Sequence, residues 1–390
     1  MTGLKAGFRR FLEADPERLH FAAHSHHPWP DATYDAQIAC WQDAADLADL
    51  KWTKVFGEVV PAVQSQIAAL LELSEPASLA FGPNTHGFVV RLLSCLPHDR
   101  PLRVLSTGSE FHSLTRQMRR LEEDGLARVT WIESEPFADF AGRFAEAALL
   151  CDFDLVYFSH VFYDSGHAIA DLEGLIERIW RPGRFVVVDG YHGFTAVPSN
   201  LAALENRVFY LAGGYKYAMA GEGACFLHVP ANLDLRPRDS GWLAEFQALE
   251  ADSNEAVSYG PGGARFLGAT FDPVGLYRLR AALGWLEDCG LTVEARLNHC
   301  QKLQEEFIDG LAALNLECLR PEQLVVPLED VSRGHFLTFR TSAARALQAR
   351  LQGHKVITDA RGDRLRFGFG IYQDQDDVAR LCRALAEILD

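Results

Sequence analysis

Three short segments hold the residues best suited to chemistry. Asp189 ends the apolar run Phe185-Val186-Val187-Val188 and opens Asp189-Gly190-Tyr191-His192-Gly193. A carboxylate at that point needs a charged or hydrogen-bonding partner, because an unpaired charge is costly to bury. Lys216 follows 27 residues later, in Gly213-Gly214-Tyr215-Lys216-Tyr217. A lysine among small and aromatic residues shifts its pKa readily and can form imines with carbonyl compounds. The third segment is Gly82-Pro83-Asn84-Thr85-His86-Gly87, ahead of a helical pattern. Backbone N–H groups and a hydroxyl at a helix start suit an anion. Each segment also has a plainer reading: an N-capped helix, an acid capping a turn, a lysine on a Gly-rich surface loop. Gly221-Glu222-Gly223 precedes a strand pattern rather than a helix, so a dinucleotide fingerprint does not fit there.

These segments need elements to hold them. Short runs rich in β-branched and aromatic residues recur at 78–81, 103–106, 129–132, 155–159, 185–189, 208–211 and 224–229. They read as strands. Helical patterns lie between several of them, at 88–96, 113–123 and 170–180. Apolar strands alternating with helices predict an α/β fold, a mostly parallel sheet with helices on both faces. Ligands of such sheets sit beyond the carboxyl ends of the strands. Residues 31–72 and 273–315 read as helices. Beyond 316, strand-like runs at 323–328, 335–341, 355–358 and 365–369 precede a last helix over 376–389. The expected organisation is an N-terminal arm and helix over 1–49 that joins the small domain, a large α/β domain over 50–275, and a small α+β domain over 276–390.

Composition narrows the function classes. Of 390 residues, 48% are hydrophobic and 23% charged, which is ordinary for a folded chain. Lys and Arg number 37 against 53 Asp and Glu, giving a net charge of −16. That field repels phosphate backbones and anionic lipid, so neither nucleic acid nor a membrane surface is an expected partner. No run approaches the roughly 18 apolar residues of a membrane helix, and the charged start has no apolar signal-peptide core. The eight cysteines are scattered without a Cys-x-x-Cys pair. They read as reduced thiols of a cytoplasmic protein. Three histidines crowd His24-Ser25-His26-His27 with no upstream carboxylate partner, so no metal is expected.

Together the anion cradle, the acid and the amine are the handles of pyridoxal 5′-phosphate. The Gly-Tyr-Lys-Tyr run with its upstream Asp-x-x-His resembles the class V, fold-type I pyridoxal-phosphate enzymes, and within them kynureninase-like proteins. The similarity covers roughly residues 75–275 and 361–378. It implies a large cofactor domain, a small domain and a homodimer with shared active sites. By the same resemblance Lys216 is the internal aldimine lysine and general base, Asp189 partners the pyridine nitrogen, and His192 supports the cofactor from the same loop. Asn84, Thr85 and Tyr215 match phosphate contacts. Phe111 matches the stacking aromatic, Ser159 a hydroxyl near the cofactor, and Trp242 a Gly-Trp motif beside phosphate and substrate. Thr270 matches a residue supplied by the neighbouring subunit, and Arg366 the clamp on the substrate α-carboxylate. Two departures stand out. Histidines replace an Asn-Ser-Leu-Gly-like run near the substrate, so His24 and His26 become candidate substrate contacts. Phe162 stands where many members carry Asn or His near the cofactor's phenol oxygen.

The resemblance implies hydrolytic Cβ–Cγ cleavage of a kynurenine-type amino acid, by way of a quinonoid that Asp189 stabilises. A class V aminotransferase or a β-eliminating lyase would share every cofactor residue, and a non-catalytic pyridoxal-phosphate-binding protein is a reading of another class. Cysteine desulfurases need a nucleophilic cysteine shortly before the clamp arginine. The chain has none between His335 and Asp377.

Overall fold

Seven strands form the central sheet of the computed structural model, which describes residues 4–231, 233–250, 256–328 and 332–389. They are β1 (Leu79–Gly82), β2 (Leu102–Thr107), β3 (Ala127–Ile132), β4 (Leu155–Ser159), β5 (Phe185–Asp189), β6 (Phe209–Gly213) and β7 (Cys225–His228). The spatial order is β1-β7-β6-β5-β4-β2-β3. β2 to β6 run parallel, whereas β7 is antiparallel to both β6 and β1.

The strand sequences lack polar–apolar alternation because both faces of the sheet are covered. Successive residues point to opposite faces. Val156, Phe158, Val186, Val188 and Tyr210 therefore join one core, and Leu155, Tyr157, Val187, Phe209 and Leu211 join another. The ten longest α-helices among the described residues are α1 (Asp31–Leu47), α2 (Val60–Leu71), α3 (Thr85–Cys95), α4 (His112–Glu123), α5 (Phe137–Ala147), α6 (Leu172–Ile179), α7 (Val274–Asp288), α8 (Val293–Leu314), α9 (Ala344–Gly353) and α10 (Gln375–Leu389). Residues of α2, α5, α6 and α7 cover the first face, and residues of α3 and α4 cover the second.

A third core gathers Leu303, Phe307 and Leu311 of α8 and Leu381 and Leu385 of α10. They close over an antiparallel sheet in the order β9-β10-β8, made of β8 (Phe336–Arg340), β9 (Asp359–Arg361) and β10 (Arg364–Gly368). The N-terminal segment enters the same core. Leu19–His20 runs parallel to Val356–Ile357, and Ala22 bridges to Gly368.

Residues 323–328 do not form the expected strand. Pro321–Gln323 is a short helical turn, and Leu324 makes an isolated bridge to Phe339. Pro321 lies just before the run and Pro327 inside it, and a proline cannot donate to a ladder. The short polar strand β9 and helix α5 have no counterpart among the sequence-based expectations.

Candidate active site

The sheet ends Asp189 at the carboxyl edge of β5, and Lys216 follows β6 by three residues. Asp189 is buried. Its carboxylate accepts the Tyr157 hydroxyl at 2.7 Å and the Tyr191 backbone N–H at 2.8 Å. Burial pushes the carboxyl above its ordinary range, while those two donors and Lys216 pull it back. The loop fits because Gly190 and Gly213 leave room: a Cβ on either would run into the hydroxyl of Tyr210 or Tyr191.

Lys216 is buried, and its Nζ shares a hydrogen bond with His192 Nε2 at 2.7 Å. Three rings surround the amine, with Tyr191 at 4.9 Å, Phe111 at 5.7 Å and Tyr215 at 5.8 Å from Nζ to the ring centroid. Burial lowers the Lys216 pKa from 10.5 to about 7; the negative charge of Asp189 opposes that shift and Arg366 adds to it. A substantial fraction of the amine is therefore neutral at physiological pH, the form that acts as nucleophile or base. His192 is held well below its usual range by burial, then by Lys216 and Arg366, so its ring enters this contact uncharged. The turn after Lys216 closes with the Met219 N–H on the Lys216 carbonyl at 2.9 Å, and Met219 adopts φ 58°. Left-handed backbone at a non-glycine residue is the kind of strain that functional sites hold.

Arg366 is 3% exposed and approaches from β10. Its guanidinium donates to Asp359 and to the Tyr163 carbonyl, and its Nε has no partner among the described residues. Asp359 and Arg366 face each other across the β9–β10 hairpin. Asp359 also meets Arg361 at 3.3 Å and His24 Nε2 at 3.7 Å. Burial alone would raise the Asp359 carboxyl, but His24, Arg366 and Arg361 together hold it well below the carboxylate range. Two arginines around one carboxylate leave a net positive charge, which one substrate carboxylate would neutralise.

His24 is fully buried, stacked on Phe336 at 4.7 Å, and among the described residues neither ring nitrogen has a hydrogen-bond partner. It sits behind Asp359 and Arg366, and burial followed by Arg366 lowers its pKa to about 3. His26 is exposed, 3.1 Å from Glu222 and 5.4 Å from the Tyr215 ring. His27 is buried among Phe8, Tyr217 and Tyr372 and is structural.

Asn84 caps α3, accepting the Gly87 N–H at 2.9 Å, and Thr85 is the first residue of that helix. Phe111 caps α4 with its ring partly exposed at the mouth of the site. Ser159 is buried, but its hydroxyl is bonded to Glu110 at 2.6 Å. Trp242 donates its indole N–H to Thr270 at 3.3 Å, and both are exposed. No hydrogen bond or ring contact links either of them to Lys216 among the described residues.

The structure turns Phe162 away from the site, where it is fully buried between Phe140 and His167. The next residue, Tyr163, faces the site instead, 5.7 Å from Phe111 and 5.9 Å from the Arg366 guanidinium. Tyr163, Tyr157, Asp359 and Glu110 are the members that sequence reasoning missed. Tyr157 was open to detection, since it shares a strand face with Ser159. Asp359 was open too: Gly362-Asp363 is a two-residue turn, which places Arg361 opposite Arg364 and Asp359 opposite Arg366.

The residues fit pyridoxal 5′-phosphate. A poised amine, a buried carboxylate with room for a cationic partner, an aromatic ring near the amine and a capped helix start belong to one edge of one sheet. Fold and site together define a fold-type I pyridoxal-phosphate-dependent enzyme. The profile of the class-V aminotransferase family matches residues 56–381, and the chain belongs to that family. It is 29% identical over 275 residues to a kynureninase of Deinococcus radiodurans, a match that covers 68% of this chain and 64% of that protein. It is 22% identical over 292 residues to a probable cysteine desulfurase of Vibrio cholerae, covering 74% and 71%. A solved complex of the cystine C–S lyase C-DES with cysteine persulfide superposes with a TM-score of 0.81 at 19% identity, covering 96% and 98%. At that identity the likeness concerns the fold.

Proposed function

We propose that the protein is a kynureninase-like hydrolase that cleaves the Cβ–Cγ bond of a kynurenine-type amino acid, using pyridoxal 5′-phosphate held on Lys216. The observation that carries this reading is the buried pair Lys216–His192 facing Arg366, a base of lowered pKa beside a clamp for an α-carboxylate. The similarity to a kynureninase supports it.

When bound, the cofactor supplies an electron sink for charge developing at the substrate's Cα and Cβ. Asp189 would pair with the cofactor's ring nitrogen and hold its positive charge. Arg366 binds the α-carboxylate and so orients the Cα–H bond. Lys216 Nζ removes the Cα proton and can return it, which suits an amine whose pKa lies near 7. His192 keeps the Nζ lone pair directed from 2.7 Å away. Tyr163 and Phe111 line the mouth, where an aryl side chain would lie.

The desulfurase reading lacks its nucleophile. Cys225 is the thiol beside the site, bonded to the Tyr191 hydroxyl, and burial pushes its pKa up to about 11. That is the opposite of an activated cysteine. A β-eliminating lyase remains the second reading, favoured by the fold of the C–S lyase. The test is L-kynurenine added to the loaded protein, with released anthranilate followed by fluorescence. Release of anthranilate is expected. A yellow protein that leaves kynurenine intact but forms pyruvate from cystine would replace the first reading with the second.

The proposal includes a homodimer. Trp242 and Thr270 bond to each other at the surface, and a groove lined by Trp52, Phe56, Trp242, Phe246 and Leu267 exposes apolar surface beside them. A second copy would cover that groove and receive both residues in its site. Sedimentation is expected to give twice the chain mass of 43.4 kDa; a monomer at micromolar concentration would refute this part.

A further inference from the structure

Glu110 is the most deeply buried acid that the reading above does not use. Its side chain is 2% exposed. Thr107 Oγ1 lies 2.6 Å from Oε1, the Ser159 N–H donates to the same oxygen at 3.0 Å, and Ser159 Oγ lies 2.6 Å from Oε2. Thr107 ends β2 and Ser159 ends β4, so one carboxyl group joins two strand ends. Ser159 is the residue paired with Asp189 across β4 and β5. Phe111, the ring near the Lys216 amine, is the next residue along the chain.

We propose that Glu110 is a positioning residue of the cofactor site: an uncharged acid that ties β2 to β4 beside Asp189, fixes Phe111, and gives its proton to Ser159. The proposal rests on the reading of this edge as the pyridoxal-phosphate site. Its first support is the absence of a cation. Among the described residues no Lys, Arg or His side chain forms an ion pair with Glu110, although it is surrounded by protein. The charged and titratable groups facing it are Asp189 from β5 and Tyr157 from β4, with Asp164 one step away through Ser109. All of them are acids. Asp189 is the strand partner of Ser159 and its field acts on Glu110; a second negative charge is disfavoured in so buried a site, and one of the two acids keeps a proton. Asp189 receives two donors and has Lys216 nearby, so Asp189 takes the charge. Burial and the field of Asp189 raise the Glu110 pKa to about 8, against the pull of Ser159 and Thr107.

The consequence falls on Ser159. If Glu110 were a carboxylate, the Ser159 hydroxyl hydrogen would be spent on it. As an acid, Glu110 donates from Oε2 to Ser159 Oγ. The hydroxyl hydrogen of Ser159 is then available for another acceptor in the site. Oε1 still accepts from Thr107 and from the Ser159 N–H, so every polar atom keeps a partner.

The test compares wild type with Glu110→Gln and Glu110→Ala, each saturated with pyridoxal 5′-phosphate. The amide of Glu110→Gln can donate to Ser159 and accept from Thr107 in the same way, so it copies the acid and not the carboxylate. Infrared spectra of the wild type are expected to show a protonated-carboxyl band at pH 6.5 that fades through about pH 8 and is missing from Glu110→Gln. Cofactor affinity of Glu110→Gln should stay within about threefold of wild type, whereas Glu110→Ala should lose about tenfold or more. The visible absorbance of the wild type should carry one more pH-dependent step than that of Glu110→Gln. No protonated-carboxyl band assignable to Glu110, or a Glu110→Gln variant that loses the cofactor more than tenfold, would overturn the proposal. The infrared band does not depend on which reaction the enzyme performs. A failure to cleave kynurenine would therefore leave this result standing.

Discussion

Replacing Lys216 with alanine is expected to abolish covalent attachment of the cofactor and to lower turnover by roughly a thousandfold or more. Two roles meet at this one nitrogen. Nζ is the buried amine among Tyr191, Phe111 and Tyr215, and in the proposed function it is also the base that removes the Cα proton. Lys216→Ala removes both. Lys216→Arg would keep a cation and lose the neutral amine, so it should fail equally. Dialysis against buffer separates the cases: cofactor should stay with wild type and leave both variants. The pH dependence of loading is a second check. With a pKa near 7, the neutral fraction is about one in ten at pH 6 and most of the population at pH 8. Loading should therefore speed up about fivefold to tenfold between those values. A Lys216→Ala variant that turns over at more than a few per cent of wild type would remove the lysine from the chemistry.

Acid should destabilise the fold well before its carboxylates are neutralised. His24 and His335 are buried and His20 is half-buried, with pKa values lowered to about 3, and the buried His27 and His160 are lowered to about 4, in each case chiefly by loss of solvent. In the unfolded chain each titrates near 6.5. Below that value the unfolded state binds protons that the folded state refuses, so stability falls as pH falls. At pH 5.5 each histidine costs about 1.4 kcal/mol, or about 7 kcal/mol for the five. Burial raises Glu110 to about 8, so its proton uptake over the same range offsets part of the loss. A net loss of about 3–5 kcal/mol between pH 7.5 and 5.5 is comparable with a whole domain's stability. Thermal unfolding of the loaded protein should show Tm at least about 5 °C lower at pH 5.5. A Tm that is level over this range would mean that the buried histidines take up protons in place.

The large sheet was legible because burial on both faces imposes one simple signature, a short apolar run, on β4, β5 and β6. Asp189 and Lys216 were legible for the same reason, being polar residues where such runs stop. Glu110 and Asp359 were not, since each looks like a surface acid until its strand partners are known. Glu110 needs the ends of β2 and β4 brought side by side, and Asp359 needs the register of a hairpin whose strand β9 is only three residues long. Phe162 and Tyr163 show how sensitive facing is to a single step. One belongs to the core and its neighbour to the site, and residue type alone does not say which. His24 was singled out for its unusual segment, but its depth behind Arg366 depends on a strand pairing with residues more than 330 positions away.

That pairing also bears on how the molecule is made. Leu19–His20 lies against Val356–Ile357, and Ala22 against Gly368. During synthesis, Leu19 and His20 are made more than 330 residues before the partners they pair with exist. The cluster of His24, Asp359 and Arg366 can therefore come together only after all of these distant segments have been made. Until then Phe21 and its neighbours are apolar surface without a core, the kind of exposure that chaperones recognise. Late closure of so distant a contact should also make refolding slow relative to the large sheet.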